Sequence, residues 1–372
     1  MKRVLCLLCL LCILFSACGK NENVITSTSD SNASVQTDVT PDGGQIATTA
    51  EPKEKLPLSP ELEAAARSAM GGYVYDLTPE LLSGIVTLKV VGFGDERYGA
   101  GALGETAFEG IEYFTALRGL EITAYTGPTL DFVRHLPSLK VLSVRGPEVL
   151  SRATPVVDIS ALTGLVHLEE LELTNLHLNT LVPIGTLERL QVLWLRNFYT
   201  TDLNPLVTLQ ELRELSVATD FNFMAQSTIT DISALARLPK LEFLRICGFS
   251  GDLSPIRYLP LTALGLVLCD VPDYSVIPPT VRAFYAEKSN FSDEDMKYVE
   301  QLKDLESLQL YNQPIQYEGA LRELTIRGIH VHYPDFFAPG YLSDTMEKLW
   351  DPWMDYSAKK IQQEYVKEKN PF

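Results

Sequence analysis

The chain has 372 residues, 46% of them hydrophobic and 21% charged, a composition close to that of ordinary folding proteins. Asp and Glu outnumber Lys and Arg by 48 to 31, giving a formal net charge of −17. That excess excludes a general nucleic-acid binder and docking by charge onto anionic lipid. Six cysteines, four of them within the first 18 residues, are too few for a disulfide scaffold.

At the N-terminus, Lys2 and Arg3 precede an apolar run of 12 residues from Val4 to Phe15. The run is too short to span a hydrocarbon core of about 30 Å as a helix. A charged start, a short apolar stretch and then Ser16 and Ala17 form an export signal. The string Leu14-Phe15-Ser16-Ala17-Cys18 resembles a bacterial lipobox, with Phe15 where Leu is usual. The resemblance implies a signal peptide over 1–17 and a lipid on Cys18. A diacylated Cys18 supplies the two chains that stable anchoring needs. An ordinary secretory peptide cut near Ala17 is the alternative. Residues 19–57 hold no aromatic residue and are dense in Ser, Thr, Asp and Asn. The segment 18–57 therefore reads as a disordered tether, reaching roughly 35 Å.

The folding body starts near Pro60. Leu62 to Met70 is strongly helix-forming and Gly71-Gly72 ends it. Thr78-Pro79-Glu80 signals a second helix, with Thr as the cap and Pro in the first turn. Residues 58–110 are thus expected to form a helical N-terminal cap.

From 111 to 332 an L-x-x-L-x-x-L-x-L pattern recurs in about ten units. Leu136, Leu139, Leu142 and Val144 form one copy, and Leu165, Leu168, Leu171 and Leu173 the next. Weaker copies pass through Leu261-Leu264-Leu266, Val281-Phe284-Ala286 and Ile326-Ile329-Val331. The third anchors Leu120, Leu142, Leu171, Leu193, Leu215 and Leu244 are spaced by 22, 29, 22, 22 and 29 residues. A period of 22 lies in the leucine-rich-repeat range. The L-x-L end of each unit predicts a strand, and stacked units share one core. The predicted fold is an α/β leucine-rich-repeat solenoid with a parallel concave β-sheet. Ten strands at about 4.8 Å give a sheet roughly 45 Å long. Return segments repeat too, as Asp158-Ile159-Ser160-Ala161-Leu162, Asp202-Leu203-Asn204-Pro205-Leu206, Asp231-Ile232-Ser233-Ala234-Leu235 and Asp252-Leu253-Ser254-Pro255-Ile256.

These segments, joined to the leucine ladder, resemble the internalin-type leucine-rich repeats of Gram-positive surface proteins, over about residues 58–332. The resemblance implies a curved solenoid, a concave strand face and a protein-binding role. One departure concerns the turn after each strand. The family places Asn five residues after the third anchor, whereas here Leu176, Phe198, Asp220, Phe249 and Cys269 stand there.

Residues between the paired anchors point out of the concave face. Among them Trp194, Arg196, Arg245, Tyr285 and Tyr311 are of the types that dominate interface hot spots. The two 29-residue units each carry seven extra residues just after the strand, within Gly146–Val157 and Thr219–Thr230. The second insertion holds Phe221 and Phe223, which should lie near Tyr199 and an exposed Trp194. The expected partner-binding set is therefore Trp194, Arg196, Tyr199, Phe221, Phe223, Arg245, Tyr285 and Tyr311. A loop that buries its own aromatics is the alternative.

Signals for catalysis are poor. His330 and His332 share a strand face ahead of Asp335, a spacing common at plain strand ends. Ser292-Asp293-Glu294-Asp295 reads as a helix start capped by Ser292 rather than a cation site. Cys247 and Cys269 are expected as two mostly buried thiols. Residues 333–372, rich in Trp, Tyr and Phe, are expected to form an aromatic C-terminal cap.

The sequence thus points to a monomeric, non-enzymatic, lipid-anchored recognition protein with no metal or other cofactor. Its partner is a protein, bound through the concave face and one edge. A net acidic body favours basic patches on that partner. A structural envelope protein and a metal-dependent enzyme at the C-terminal end are the rival readings.

Overall fold

A computed structural model describes residues 56–72, 76–92, 101–147, 155–198, 200–219, 229–311, 313, 315, 318–333 and 336–337. The signal peptide, Cys18 and nearly all of the tether lie outside the described residues. So do Tyr199, Phe221, Phe223, the middle of both insertions, Asp335 and the aromatic stretch after 337.

The first helix, α1 (Pro60–Ala69), starts where Ser59 accepts a hydrogen bond from the Leu62 N–H. The Ser59 hydroxyl also donates to the Ala107 carbonyl at 2.6 Å, tying the helix start to the following segment. Its end falls at Gly71 and Gly72, both at positive φ. Thr78 caps α2 (Pro79–Leu82) by accepting from the Leu81 N–H. Leu62, Ala66 and Leu82 face inward and close the near end of the core.

The sheet begins one rung earlier than the leucine ladder implies. Strand β1 (Thr87–Val91) lies in the segment expected to be a helical cap and pairs with β2 (Gly119–Thr123). Then follow β3 (Val141–Arg145), β4 (Glu170–Thr174), β5 (Val192–Phe198), β6 (Glu214–Thr219) and β7 (Phe243–Cys247). The C-terminal strands are β8 (Ala263–Val267), β9 (Ala283–Glu287), β10 (Ser307–Tyr311), β11 (His330–Tyr333) and β12 (Phe336–Phe337). All twelve form one sheet in sequence order. Strands β1 to β11 run parallel, and β12 turns back antiparallel on β11.

The register is a single rung ladder. Leu88, Leu120, Leu142, Leu171, Leu193 and Leu215 stand opposite one another in succession. Leu244, Leu264, Phe284, Leu308 and Val331 continue it. All are buried in one continuous core. No single unit encloses its leucines, so each rung depends on its neighbours for burial.

The return segments form short 3₁₀ helices that seal the opposite side of this core through Val133, Leu162, Ile184, Leu206, Leu235, Ile256 and Val276. Their repeated Asp has a physical task. Asp158, Asp231, Asp252 and Asp273 each accept a hydrogen bond at 2.8 Å from the N–H two residues on. These Asx turns start the 3₁₀ turn where no intrahelical acceptor exists. The bonds hold the four carboxyls below the usual Asp range. Backbone donation is the larger cause at Asp158 and Asp231, and the Ser hydroxyl at Asp252 and Asp273. A lowered folded-state pKa stabilises above the unfolded value of about 3.9 and is lost as pH falls through the folded one. The melting temperature, followed by circular dichroism, is therefore expected to fall progressively from about pH 5 downward. Replacing Asp158 and Asp252 by Asn keeps the acceptor and should flatten that drop; an unchanged acid limb would refute it.

The missing Asn ladder has a substitute. One residue earlier, Ala124, Asn175, Gly248, Leu268 and Lys288 adopt positive φ and turn the chain sharply. The next side chain then points inward, so Tyr125, Leu176, Phe249 and Cys269 are buried in the core, and Phe198, after a register shift in β5, is buried likewise. Apolar packing replaces a polar ladder, and at Cys269 the thiol still contacts the Val267 carbonyl at 3.3 Å.

Two local expectations are corrected. The helix after Ser292 starts four residues later, as α3 (Met296–Glu300), because Ser292 spends its N–H and hydroxyl on the Asp295 carboxylate. Ile326 is not a core anchor but is 85% exposed, since α4 (Glu318–Ile326) replaces the last return segment and buries Leu321 and Leu324 instead.

Candidate functional site

Side chains between the anchors lie on the outer face of the sheet, the face expected to be concave. Pairing puts Glu121, Ser143, Glu172, Trp194, Ser216, Arg245, Gly265, Tyr285 and Gln309 in one column. Thr174, Arg196, Ala218, Cys247, Val267, Glu287 and Tyr311 form the column beside it. Alternation along each strand dictates this, and all five expected outer-face residues within the described chain fall on it.

Trp194 departs from expectation in its exposure. It is only 5% exposed rather than open to solvent. The Arg196 guanidinium lies over its ring, 4.8 Å from the centroid, so the indole supports a cation instead of presenting a free face. Tyr285 is also buried. Its hydroxyl donates to Glu287 at 2.6 Å, and burial first, then this carboxylate, push its pKa far up. Tyr311, half-buried, packs between Tyr285 at 5.7 Å and His332 at 4.9 Å, ring centre to ring centre. His332 is thus part of an aromatic run. Among the described residues no cluster of His, Cys, Asp or Glu is placed to hold a metal ion.

Charges on this face are unevenly matched. Glu172, 4% exposed, accepts from the Ser143 hydroxyl at 2.9 Å, from Thr174 at 3.2 Å, and from Arg145 Nε and Nη2 at 3.1 and 2.9 Å. Burial alone would lower the Arg145 pKa; the Glu172 hydrogen bonds and charge outweigh it and raise it. Arg196 and Arg245, in contrast, have no ion pair among the described residues. Burial, then repulsion from Arg245, lowers the Arg196 pKa against the pull of Glu172. An arginine nevertheless stays protonated at neutral pH.

The floor between these arginines is made of small residues. Ser216 lies between Trp194 and Arg245 in register, and Ala218 between Arg196 and Cys247. Gly265 lets Arg245 lie flat on the next strand, where a Cβ would meet the Arg245 Cγ at 3.3 Å. Beyond them a second apolar cluster, separate from the main core, joins Phe243, Ala263 and Ala283 to Val267, Cys247 and Tyr285. Its first three members form a third column that the hot-spot reasoning missed. The signal was present as apolar residues at the first outward position of β7, β8 and β9. Cys247 and Cys269 are both buried thiols, not joined to each other, and burial raises both, Cys269 to about 11.

No sequence-family profile and no curated protein matches the chain. Among solved structures it is similar to an internalin of Listeria monocytogenes, with 20% identity and a TM-score of 0.48, covering 76% of this chain and 99% of that one. Internalin C2 of the same organism is 20% identical, with a TM-score of 0.38, covering 74% and 92%. A leucine-rich-repeat protein of Leptospira interrogans is 18% identical, with a TM-score of 0.43, covering 60% and 68%. Among the described residues no helix is long and apolar enough to cross a membrane. With its leucine rungs in one register, its parallel sheet and its repeated return turns, this chain is a leucine-rich-repeat solenoid, and its structural neighbours are internalins and other proteins of that fold.

Proposed function

We propose that this protein is a non-enzymatic recognition protein, held at the cell surface by a lipid on Cys18, that binds a protein partner through the outer face of its sheet. The observation that carries the reading is the pair Arg196 and Arg245, without an ion pair among the described residues, on a strand face bordered by Tyr285 and Tyr311. Aromatic and Arg side chains on a pre-organised surface lower the ordering cost of binding. Tyr199, Phe221 and Phe223, expected from the sequence to lie beside Trp194, belong to the same proposed surface.

Site-specific photo-crosslinking tests this. A crosslinking amino acid at Tyr311, on the outer face, is compared with one at Tyr258, which is 91% exposed in a return segment. On intact cells of the source organism or its target, Tyr311 should yield a discrete crosslinked protein and Tyr258 should not. Equal labelling from both positions, or none from Tyr311, would favour an envelope protein without a specific ligand.

A further inference from the structure

The chain carries a net charge of −17, yet two cations near the middle of its outer face have no ion pair among the described residues. Arg196 and Arg245 project from strands two rungs apart, about 10 Å at ordinary strand spacing. Ser216 and Ala218, both small, lie on the strand between them. The nearest acid on β4, Glu172, already serves Arg145, Ser143 and Thr174. On the other side Glu287 accepts the Tyr285 hydroxyl.

Two further observations mark this spot as built for a ligand. The Ser216 hydroxyl is buried, its residue 3% exposed, and has no hydrogen-bond partner among the described residues. Arg196 Nε is likewise buried without an acceptor, while Trp194 holds its guanidinium plane in place. Buried donors are normally satisfied, so two unsatisfied ones on neighbouring strands call for an acceptor. A carboxylate offers two oxygens to a guanidinium fork and a third contact to a hydroxyl.

Resting on the recognition reading above, we propose that Arg196, Arg245 and Ser216 form a carboxylate-binding clamp that takes an Asp or Glu side chain from a bound peptide segment. The half-buried ring of Tyr311, backed by the buried strip of Phe243, Ala263, Val267 and Tyr285, accepts a flanking side chain. The partner segment is therefore acidic and aromatic or aliphatic, the opposite of the basic partner that the net charge suggests. Trp194 is a positioning residue for Arg196.

The test uses the full chain in low salt and two capped peptides, Tyr-Glu-Tyr-Glu-Tyr and its counterpart with Gln at both Glu positions. By fluorescence anisotropy the Glu peptide should bind at least tenfold tighter. Arg196→Met and Arg245→Met should each abolish that preference. Arg196→Met should also raise the melting temperature by about 2 °C, because a buried unpaired cation is removed. A role confined to folding would lower it instead. Should Arg196→Met fail to fold, Arg245→Met, on a less buried cation, decides the question alone. Equal affinity for the two peptides, no binding of either, or an undiminished preference in the arginine variants overturns the clamp. A crosslinked partner at Tyr311 without any Glu preference would sink the clamp and leave the recognition reading standing.

Discussion

Replacing Phe249 by Ala is expected to lower folding stability by about 3–5 kcal/mol. Phe249 is fully buried behind the turn after β7, in the position where a polar ladder residue is usual. Its ring packs beside Gly251, whose added Cβ would come within 3.3 Å of the Phe249 Cζ. The site has little room to collapse, because Gly248 and Gly251, both at positive φ, fix the turn around it. In a stack of units each rung is stabilised by its neighbours, so a cavity at one rung weakens both interfaces. Natural domains hold only about 5–15 kcal/mol in total, so the loss should be plain in urea unfolding. Tyr258→Ala, on an almost fully exposed side chain, should stay within about 0.5 kcal/mol and serves as the control. A loss below about 1 kcal/mol at Phe249 would mean that the turn does not depend on its apolar filling.

The second large effect concerns Glu172. Its removal as Glu172→Ala should cost about 3 kcal/mol, the low end of the range for breaking a buried pair, since Arg145 remains partly exposed. The loss has three sources. The buried Ser143 hydroxyl loses its acceptor, Arg145 loses both of its bonds, and a third uncompensated cation appears beside Arg196 and Arg245. Adding Arg145→Met should recover much of the stability, because it removes the stranded charge. The exposed pair Arg213–Glu242, at 2.6 Å but with both side chains about half open, should be worth only about 0–1 kcal/mol. A double-mutant cycle on each pair, followed by thermal melts, makes the comparison. If the two cycles give similar coupling energies, burial does not strengthen the Arg145–Glu172 pair.

Phe249 and Glu172 also mark how far a linear reading reaches. The leucines at 22- and 29-residue spacing announce the core because burial is enforced at every rung, and a periodic demand leaves a periodic trace. Even the weak copies through Phe284 and Val331 take their places, since their neighbours hold the register. Strand β1 escaped notice because Leu88 and Val90 lack the preceding anchors of a full copy, their return segment being replaced by α1 and α2. The Asx turns were visible as a repeated Asp, though their electrostatic consequence needed the N–H geometry.

By itself, the amino-acid sequence determined the repeat, the strand face on which Trp194, Arg196, Arg245, Tyr285 and Tyr311 stand, and the turns that return each unit. Those are local and periodic properties, written in every copy. Only the tertiary structure decided which charges are matched. Glu172 and Arg145 are 27 residues apart in the chain, and Arg196 and Arg245 farther still, yet stacking sets them on adjacent or next-adjacent strands. A net charge sums over the whole chain, while Coulomb interactions are decided within a few ångströms. For that reason an acidic protein carries, near the middle of its outer face, two arginines with no ion pair among the described residues.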